Sequence, residues 1–394
     1  MKIIAEIGTS HEGNIKKAFS LIDAAAEAGA DIVKFQWVYA EEILHPKTGF
    51  VKLPGGDIPL YERFKSLEVS SDFFKNCIEY AHKRGLLFAC SPFGLKSLHE
   101  LCSINPDAIK IASPEVNHIP LLRECSKYFK KIPIILSSGV STLGDIEKAV
   151  DILKGENLNE SSYEKVLPPL TLLHCITSYP APEEEYNTQV IQNLSNIFTL
   201  PCGVSDHSLS PHLIPVLSLI CGGTMIEKHI TLSRKTDGLD DPVALEPEQF
   251  FMMVHAVHQA EAILERFNKD DEAFGKTEAV KIENGMYVSR GQAEVLRQLY
   301  EEFGKEKVLA SLGTGHKELA PAEKANYGRT NRSLHYMRDI KKGECITGDD
   351  ISVLRTEKVL SPGIAPENLC HLLGKKLTQD VKSGGGVKWE DFLS

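Results

Sequence analysis

The chain has 394 residues, ordinary apolar and charged fractions, and a formal net charge of −10. That length suits two domains, or one large domain with an appendage. The dispersed acidic excess argues against a nucleic-acid partner, which would call for a basic face, yet leaves room for a small anion held by a few lysines in a pocket.

From the start, short apolar runs alternate with amphipathic stretches. Strands are predicted at 3–7, 31–36, 86–91, 108–111, 134–137, 171–175, 202–205 and 225–228. Each is rich in Ile, Val, Leu or Phe and too short for a buried helix. Between them, "NIKKAFSLIDAAAEAG" spaces Ile15, Phe19, Ile22 and Ala26 along one helical face and stops at Gly29. "SSDFFKNCIEYAHKRG" repeats the pattern up to Gly85, and "TLGDIEKAVDILKG" does so with Thr142 as N-cap and Gly155 as terminator. Strand–helix alternation implies parallel pairing with helices outside. Eight units in residues 1–270 fit a (β/α)8 TIM barrel, which typically needs about 250 residues. A doubly wound open sheet is the rival, but "EIGTSHEGN" is not the GxGxxG loop it would want after its first strand.

Residues 271–329 read as a linker with an inserted helix or helical hairpin, "GQAEVLRQLYEEFGKEKVLASLG". Residues 330–394 become short and strand-like, and two turns echo each other as D-[IV]-K-x-G, in "RDIKKGECI" and "QDVKSGGGV". A β-rich unit this small is marginal alone and is expected to pack on something else. No apolar run approaches the roughly 18 residues of a membrane span, and "MKIIAEIG" lacks the regions of a leader peptide. The nine cysteines form no CxxC pair, as in reduced cytoplasmic proteins.

A barrel places its chemistry at the C-terminal strand ends, and polar residues collect there. In order they are Glu6; Lys34 and Gln36; Ser91; Lys110, Ser113 and Glu115; Ser137 and Ser138; Thr177 and Tyr179; Ser205, Asp206 and His207; Glu227, Lys228 and His229. Lys34 and Lys110 lie between apolar neighbours and need a counter-charge, which a phosphate or carboxylate would supply. His207 and His229 end adjacent strands and could share one divalent metal, with Glu6, Glu227, Asp206 or water completing the shell. His174 suits a core histidine as well as a functional one. His118, His212, His255 and His258 read as surface or helix residues, and Cys90 and Cys175 as small core fillers.

"IAEIGTSHEGN", "AGADIVKFQ", "CSPF", "KIAS", "LSSG", "LHCITSYP", "GVSDHS", "IEKHITL" and "GLDDPVALEP" occur in this order and together resemble the sialic acid synthase family. "NRSLHYMRDIKKGECIT" resembles that family's antifreeze-protein-like (SAF) domain. The resemblance implies a cytoplasmic transferase that condenses phosphoenolpyruvate with an N-acyl amino sugar, with Mn²⁺ or Mg²⁺ on His207 and His229. It implies Lys34, Lys110, Ser91, Ser113, Ser137 and Ser205 around phosphoenolpyruvate, and Glu6, Glu227 and Lys110 as catalytic residues. Gln36, Thr177, Tyr179, Asp240 and Arg332 would complete substrate binding. Arg332 would come from the C-terminal domain of a homodimer partner that caps the barrel. The chain departs from the family pattern at Ser113-Pro114-Glu115, "LPGGDIPLYERF", Gly238-Leu239-Asp240-Asp241 and 287–312. These departures leave the sugar open. Another phosphoenolpyruvate–aldose synthase and a silent sugar-binding relative stand as alternatives.

Overall fold

The computed structural model describes residues 1–53, 56–155, 166–236, 238–274, 279–357 and 359–393. All eight predicted strands are present: β1 (Lys2–Gly8), β2 (Ile32–Trp37), β3 (Leu87–Pro92), β4 (Ala108–Ile111), β5 (Ile134–Ser137), β6 (Leu170–Cys175), β7 (Cys202–Asp206) and β8 (Met225–His229). They pair in parallel and close on themselves, with β1 between β8 and β2. The open-sheet rival is thereby excluded.

Helices cover the outside, and they start and stop where local chemistry dictates. Asn14 accepts from the Lys16 and Lys17 amides to start Ile15–Glu27. Thr142 and Asp145 form a capping box for Leu143–Lys154, which ends at Gly155 in a positive-φ conformation. A hairpin, Phe50–Leu53 with Gly56–Pro59, interrupts the alternation between β2 and β3 and was not anticipated from the sequence.

The barrel interior follows from strand parity, since residues i and i+2 share a face. Its lower layer is apolar, with Ile4, Ile32, Ala89, Ala108, Ile135, Leu173 and Met225 in one buried cluster. Gly203 completes the ring as the one strand position without room for a side chain, because a Cβ there would stand 2.0 Å from the Met225 carbonyl oxygen. Two residues further along each strand come Glu6, Lys34, Ser91, Lys110, Ser137, Cys175, Ser205 and Glu227. The polar layer therefore sits directly above the apolar one, at the C-terminal face.

The helical segment beyond the barrel breaks at Gly304 (φ 83°) into Arg290–Phe303 and Lys305–Leu312. Val295, Leu296, Leu299, Val308 and Leu312 join the barrel's own core cluster. This stretch is packed structure, although residues 275–278 of the predicted linker lie outside the described residues. The C-terminal domain pairs β9 (Arg332–Tyr336) antiparallel with β10 (Ile351–Arg355) and has a separate core around Leu334, Tyr336, Ile340, Leu372 and Val387. Its two echoing turns pair with each other through an antiparallel Ile340–Val381 bridge. Lys341 meets Asp380 and Lys382 meets Asp339, each at 2.7 Å. Among the described residues no helix is long and apolar enough to cross a membrane.

Candidate active site

The polar layer opens into a pocket of about 190 Å³ at the barrel mouth. Glu6, Lys34, Gln36, Ser91, Lys110, Ser113, Ser137, Thr177, Tyr179, Ser205, His207, Glu227, His229 and Asp240 all line it. Of the sequence-derived candidates, Arg332 and the suggested metal ligand Asp206 do not line it.

The charges form one network. Lys34 Nζ lies 2.8 Å from Glu6 Oε2 and 3.6 Å from Glu227 Oε2. Lys110 Nζ lies 3.3 Å from Glu227 Oε1, which also accepts from Ser205 Oγ at 2.8 Å. Gln36 donates to Glu6 Oε1 at 2.8 Å. Burial opposes the charge on Lys34, but Glu227 and Glu6 outweigh it and raise its pKa above the ordinary value. Lys110 goes the other way: burial dominates, Glu227 offsets it in part, and Lys34 adds repulsion. Burial would raise Glu227, yet Lys110 and Lys34 hold it down at about 2. Within this set the hydroxyls of Ser91, Ser137 and Thr177 are buried without a hydrogen-bond partner. Hydroxyls left so inside a polar pocket call for a ligand that accepts from them.

The two histidines share this mouth, with ring centroids 5.5 Å apart. His207 Nδ1 faces the Ile176 carbonyl at 2.8 Å, leaving Nε2 toward the pocket, 3.3 Å from Tyr179 Oη. Tyr179 stacks on the His207 ring at 4.3 Å. His229 Nδ1 lies 3.9 Å from Asp240 Oδ2. Burial holds His229 below the ordinary histidine value, with Asp240 and Glu6 opposing. Among the described residues no three His, Cys, Asp or Glu side chains are gathered closely enough to hold an ion by themselves.

Several expectations are corrected. Asp206 faces out of the barrel, where its Oδ2 meets the fully buried Lys228 Nζ at 2.5 Å, so it cannot complete a metal shell in the pocket. Arg332 is buried behind the mouth. Its guanidinium donates to Glu115 Oε1 (2.9 and 3.1 Å), Glu42 O (2.5 Å) and Phe93 O (2.9 Å), and it does not line its own chain's pocket. Arg355 of β10, which donates to the same Glu115 oxygen at 2.9 Å, lines the pocket together with Thr330. The chain's own C-terminal domain and the segment before it thus bring Arg355 and Thr330 to this mouth. His118 is buried and caps a helix by accepting from the Leu121 amide at 3.3 Å. Cys175 lines the pocket 3.7 Å from His207 Nδ1. His174 is a buried core histidine, its Nε2 2.6 Å from the Tyr186 carbonyl and its Nδ1 without a partner.

Strand parity could have found Cys175, two residues beyond Leu173. Nothing comparable marked Arg355, which reaches the mouth from a separate domain.

The fold and site thus define a (β/α)8 barrel with a buried, charged pocket at its C-terminal face and a small domain packed over it. Residues 21–269 match the NeuB family and residues 331–393 the SAF domain. The chain belongs to the NeuB family. It is 29% identical over 395 residues to the N,N'-diacetyllegionaminic acid synthase of Legionella pneumophila, covering 98% of this chain and 93% of that protein. It is 30% identical over 395 residues to the pseudaminic acid synthase of Campylobacter jejuni, covering 99% and 96%. The crystal structure of the spore coat polysaccharide biosynthesis protein SpsE of Bacillus subtilis superposes with a TM-score of 0.76 at 29% identity, covering 100% of this chain and 95% of that one.

Proposed function

We propose that this chain condenses phosphoenolpyruvate with an N-acyl amino sugar to give a nonulosonic acid and inorganic phosphate. One observation carries the reading: two buried lysines and three unpartnered hydroxyls share a small pocket with a pair of histidines. Lysine charges and hydroxyl donors suit phosphate and carboxylate oxygens. In this reading Lys34, Lys110, Ser91, Ser113, Ser137 and Ser205 hold phosphoenolpyruvate. Gln36, Thr177, Tyr179 and Asp240 face the sugar.

His207 and His229 fit a divalent ion such as Mn²⁺ or Mg²⁺, whose remaining positions fall to water and substrate oxygens, because the neighbouring carboxylates already have partners. Bound there, such an ion supplies Lewis-acid polarisation of the sugar's aldehyde oxygen.

The rest of the chemistry falls to the chain's own residues. C3 of phosphoenolpyruvate forms the new bond to the aldehyde carbon, and the aldehyde oxygen takes a proton to become a hydroxyl. Water bonds to the cationic C2, and Glu6 takes the proton it sheds. The C2–O bond to phosphate then breaks as the new C2 hydroxyl passes its proton to the departing phosphate oxygen, leaving a ketone and phosphate. Lys110 neutralises the charge gathering on the leaving phosphate. Glu227 anchors both lysines while Ser205 fixes its own carboxylate.

The test is phosphate release from phosphoenolpyruvate with Mn²⁺ and a panel holding N-acetylmannosamine, 2,4-diacetamido hexoses and sugar phosphates. Release with an N-acyl sugar supports the reading. Release with sugar phosphates alone, or with no sugar at all, overturns it.

A further inference from the structure

Val140 follows β5 with φ at 42°, a conformation rare and costly for a β-branched residue. Such strain persists only where the surroundings over-determine it, and here they do. The Val140 amide donates to the Glu323 carboxylate, and the Val140 carbonyl accepts from Asn331 Nδ2 at 3.0 Å. Both partners lie in the segment leading from the inserted helices to the C-terminal domain. The same segment grips the mouth at two more points. Lys317 Nζ donates to the Ser138 carbonyl at 3.1 Å, and Asn326 Nδ2 donates to the Thr177 carbonyl at 3.0 Å. Glu323 is 1% exposed, so its carboxylate has been taken out of water for this contact.

The gripped turn bears on the pocket directly. It begins at Ser137, and Gly139 donates its amide to Ser113 Oγ at 3.0 Å. A Cβ on Gly139 would stand 2.3 Å from Thr177 Oγ1 and 2.9 Å from Ser113 Oγ, so the backbone here lies against two pocket hydroxyls. Were Val140 to relax to negative φ, Gly139 would swing relative to those hydroxyls and carry Ser137 with it.

We propose that residues 317–331 form a clamp, with Glu323 and Asn331 as positioning residues that hold Val140 in its strained conformation and thereby set the Ser137 and Ser113 hydroxyls for the anionic substrate. The clamp is a function for the chain between barrel and C-terminal domain, and only its ligand arm rests on the reading of the pocket as a phosphoenolpyruvate site.

Glu323→Ala, Glu323→Gln and Asn331→Ala test it in the full-length protein. The first readout is amide hydrogen exchange across 137–141, which needs no ligand. Losing a hydrogen bond to a charged acceptor predicts exchange faster by about tenfold or more in E323A. E323Q, which keeps an oxygen acceptor, stays within about threefold of the parent protein, and N331A falls between. The second readout is phosphoenolpyruvate affinity by calorimetry, expected to weaken about tenfold in E323A and little in E323Q, with any Mn²⁺ affinity unchanged. Exchange at 137–141 identical in E323A and parent overturns the clamp. So does a loss in E323Q equal to that in E323A. Faster exchange in a protein that binds no phosphoenolpyruvate upholds the clamp and overturns the proposed substrate instead.

Discussion

The buried Asp206–Lys228 pair offers the sharpest energetic test of how the mouth is built. The two residues are register partners on β7 and β8, and each is flanked by pocket residues, Ser205 and His207 on one strand and Glu227 and His229 on the other. Lys228 Nζ meets Asp206 Oδ2 at 2.5 Å, Ser208 O at 2.7 Å, Ser208 Oγ at 3.3 Å and Ser210 O at 3.0 Å. Asp206 Oδ1 accepts from the Ser208 amide at 2.8 Å. Lys228→Met removes the cation and strands a carboxylate away from water, a loss of about 3–5 kcal/mol. At roughly 2–4 °C per kcal/mol the midpoint falls by about 10 °C. Lys228→Met with Asp206→Leu removes both charges and with them the desolvation penalty, so the double variant is expected within about 2 kcal/mol of the parent. Urea unfolding of the four proteins gives the coupling energy, expected to exceed about 2 kcal/mol. Additive losses, or a Lys228→Met variant less than about 1 kcal/mol from the parent, would refute the reasoning.

Lys110→Met should weaken phosphoenolpyruvate binding at least tenfold, read by calorimetry, because one of the two pocket cations is gone. Gly139→Ala drives a Cβ toward Thr177 Oγ1, 2.3 Å away, and overpacking of about 1–3 kcal/mol predicts a ten- to hundredfold loss of the same affinity. Arg332→Ala leaves the buried Glu115 only Arg355 and takes the donor from the Glu42 and Phe93 carbonyls, so it should cost about 3–5 kcal/mol of stability in urea. Arg355→Ala leaves Glu115 paired with Arg332, so it should cost less than half as much while still raising the KM for the sugar. His11, packed between Phe35 and Phe73, is pressed to about 4 by burial, with Lys17 adding to it. Its folded pKa lies below the unfolded value, so the stability held by its neutral form is full above about pH 6.5 and is lost as pH falls toward 4. Between pH 7 and 5.5 that loss is about 1.2 kcal/mol, and His11→Phe should remove it from the pH dependence of unfolding.

How much of the site the sequence discloses follows from strand parity. Once the eight apolar runs are placed, the residue two beyond each lower-layer position faces the mouth, so Lys34 after Ile32 and Ser137 after Ile135 are legible without coordinates. The same rule assigns Asp206 and Lys228 outward, since they alternate with Ser205, His207, Glu227 and His229. Their neighbourhood in sequence with the histidines concealed that. Arg332 and Arg355 stand opposite each other at one end of an antiparallel register, and both reach Glu115. Which of two such arginines enters a pocket depends on how one domain sits on another, and no periodicity within either domain encodes that.

The charges of the polar layer also bear on where an anion would sit. Four charged groups lie above an apolar layer in a pocket of about 190 Å³, where unpaired charge is costly. Glu6 and Glu227 match Lys34 and Lys110 in number, but the pairing is uneven. Lys34 has both carboxylates, whereas Lys110 shares Glu227 at 3.3 Å and feels Lys34 as a like charge. Lys110 is thus the less compensated member, its pKa lowered by burial with Lys34 adding repulsion. A phosphate or carboxylate arriving beside it relieves the deficit, whereas a neutral sugar in the same place would not. Under the proposed function, this uneven pairing would put the anionic substrate on the Lys110 side of the pocket and the polar, uncharged one beside His207, His229 and Tyr179.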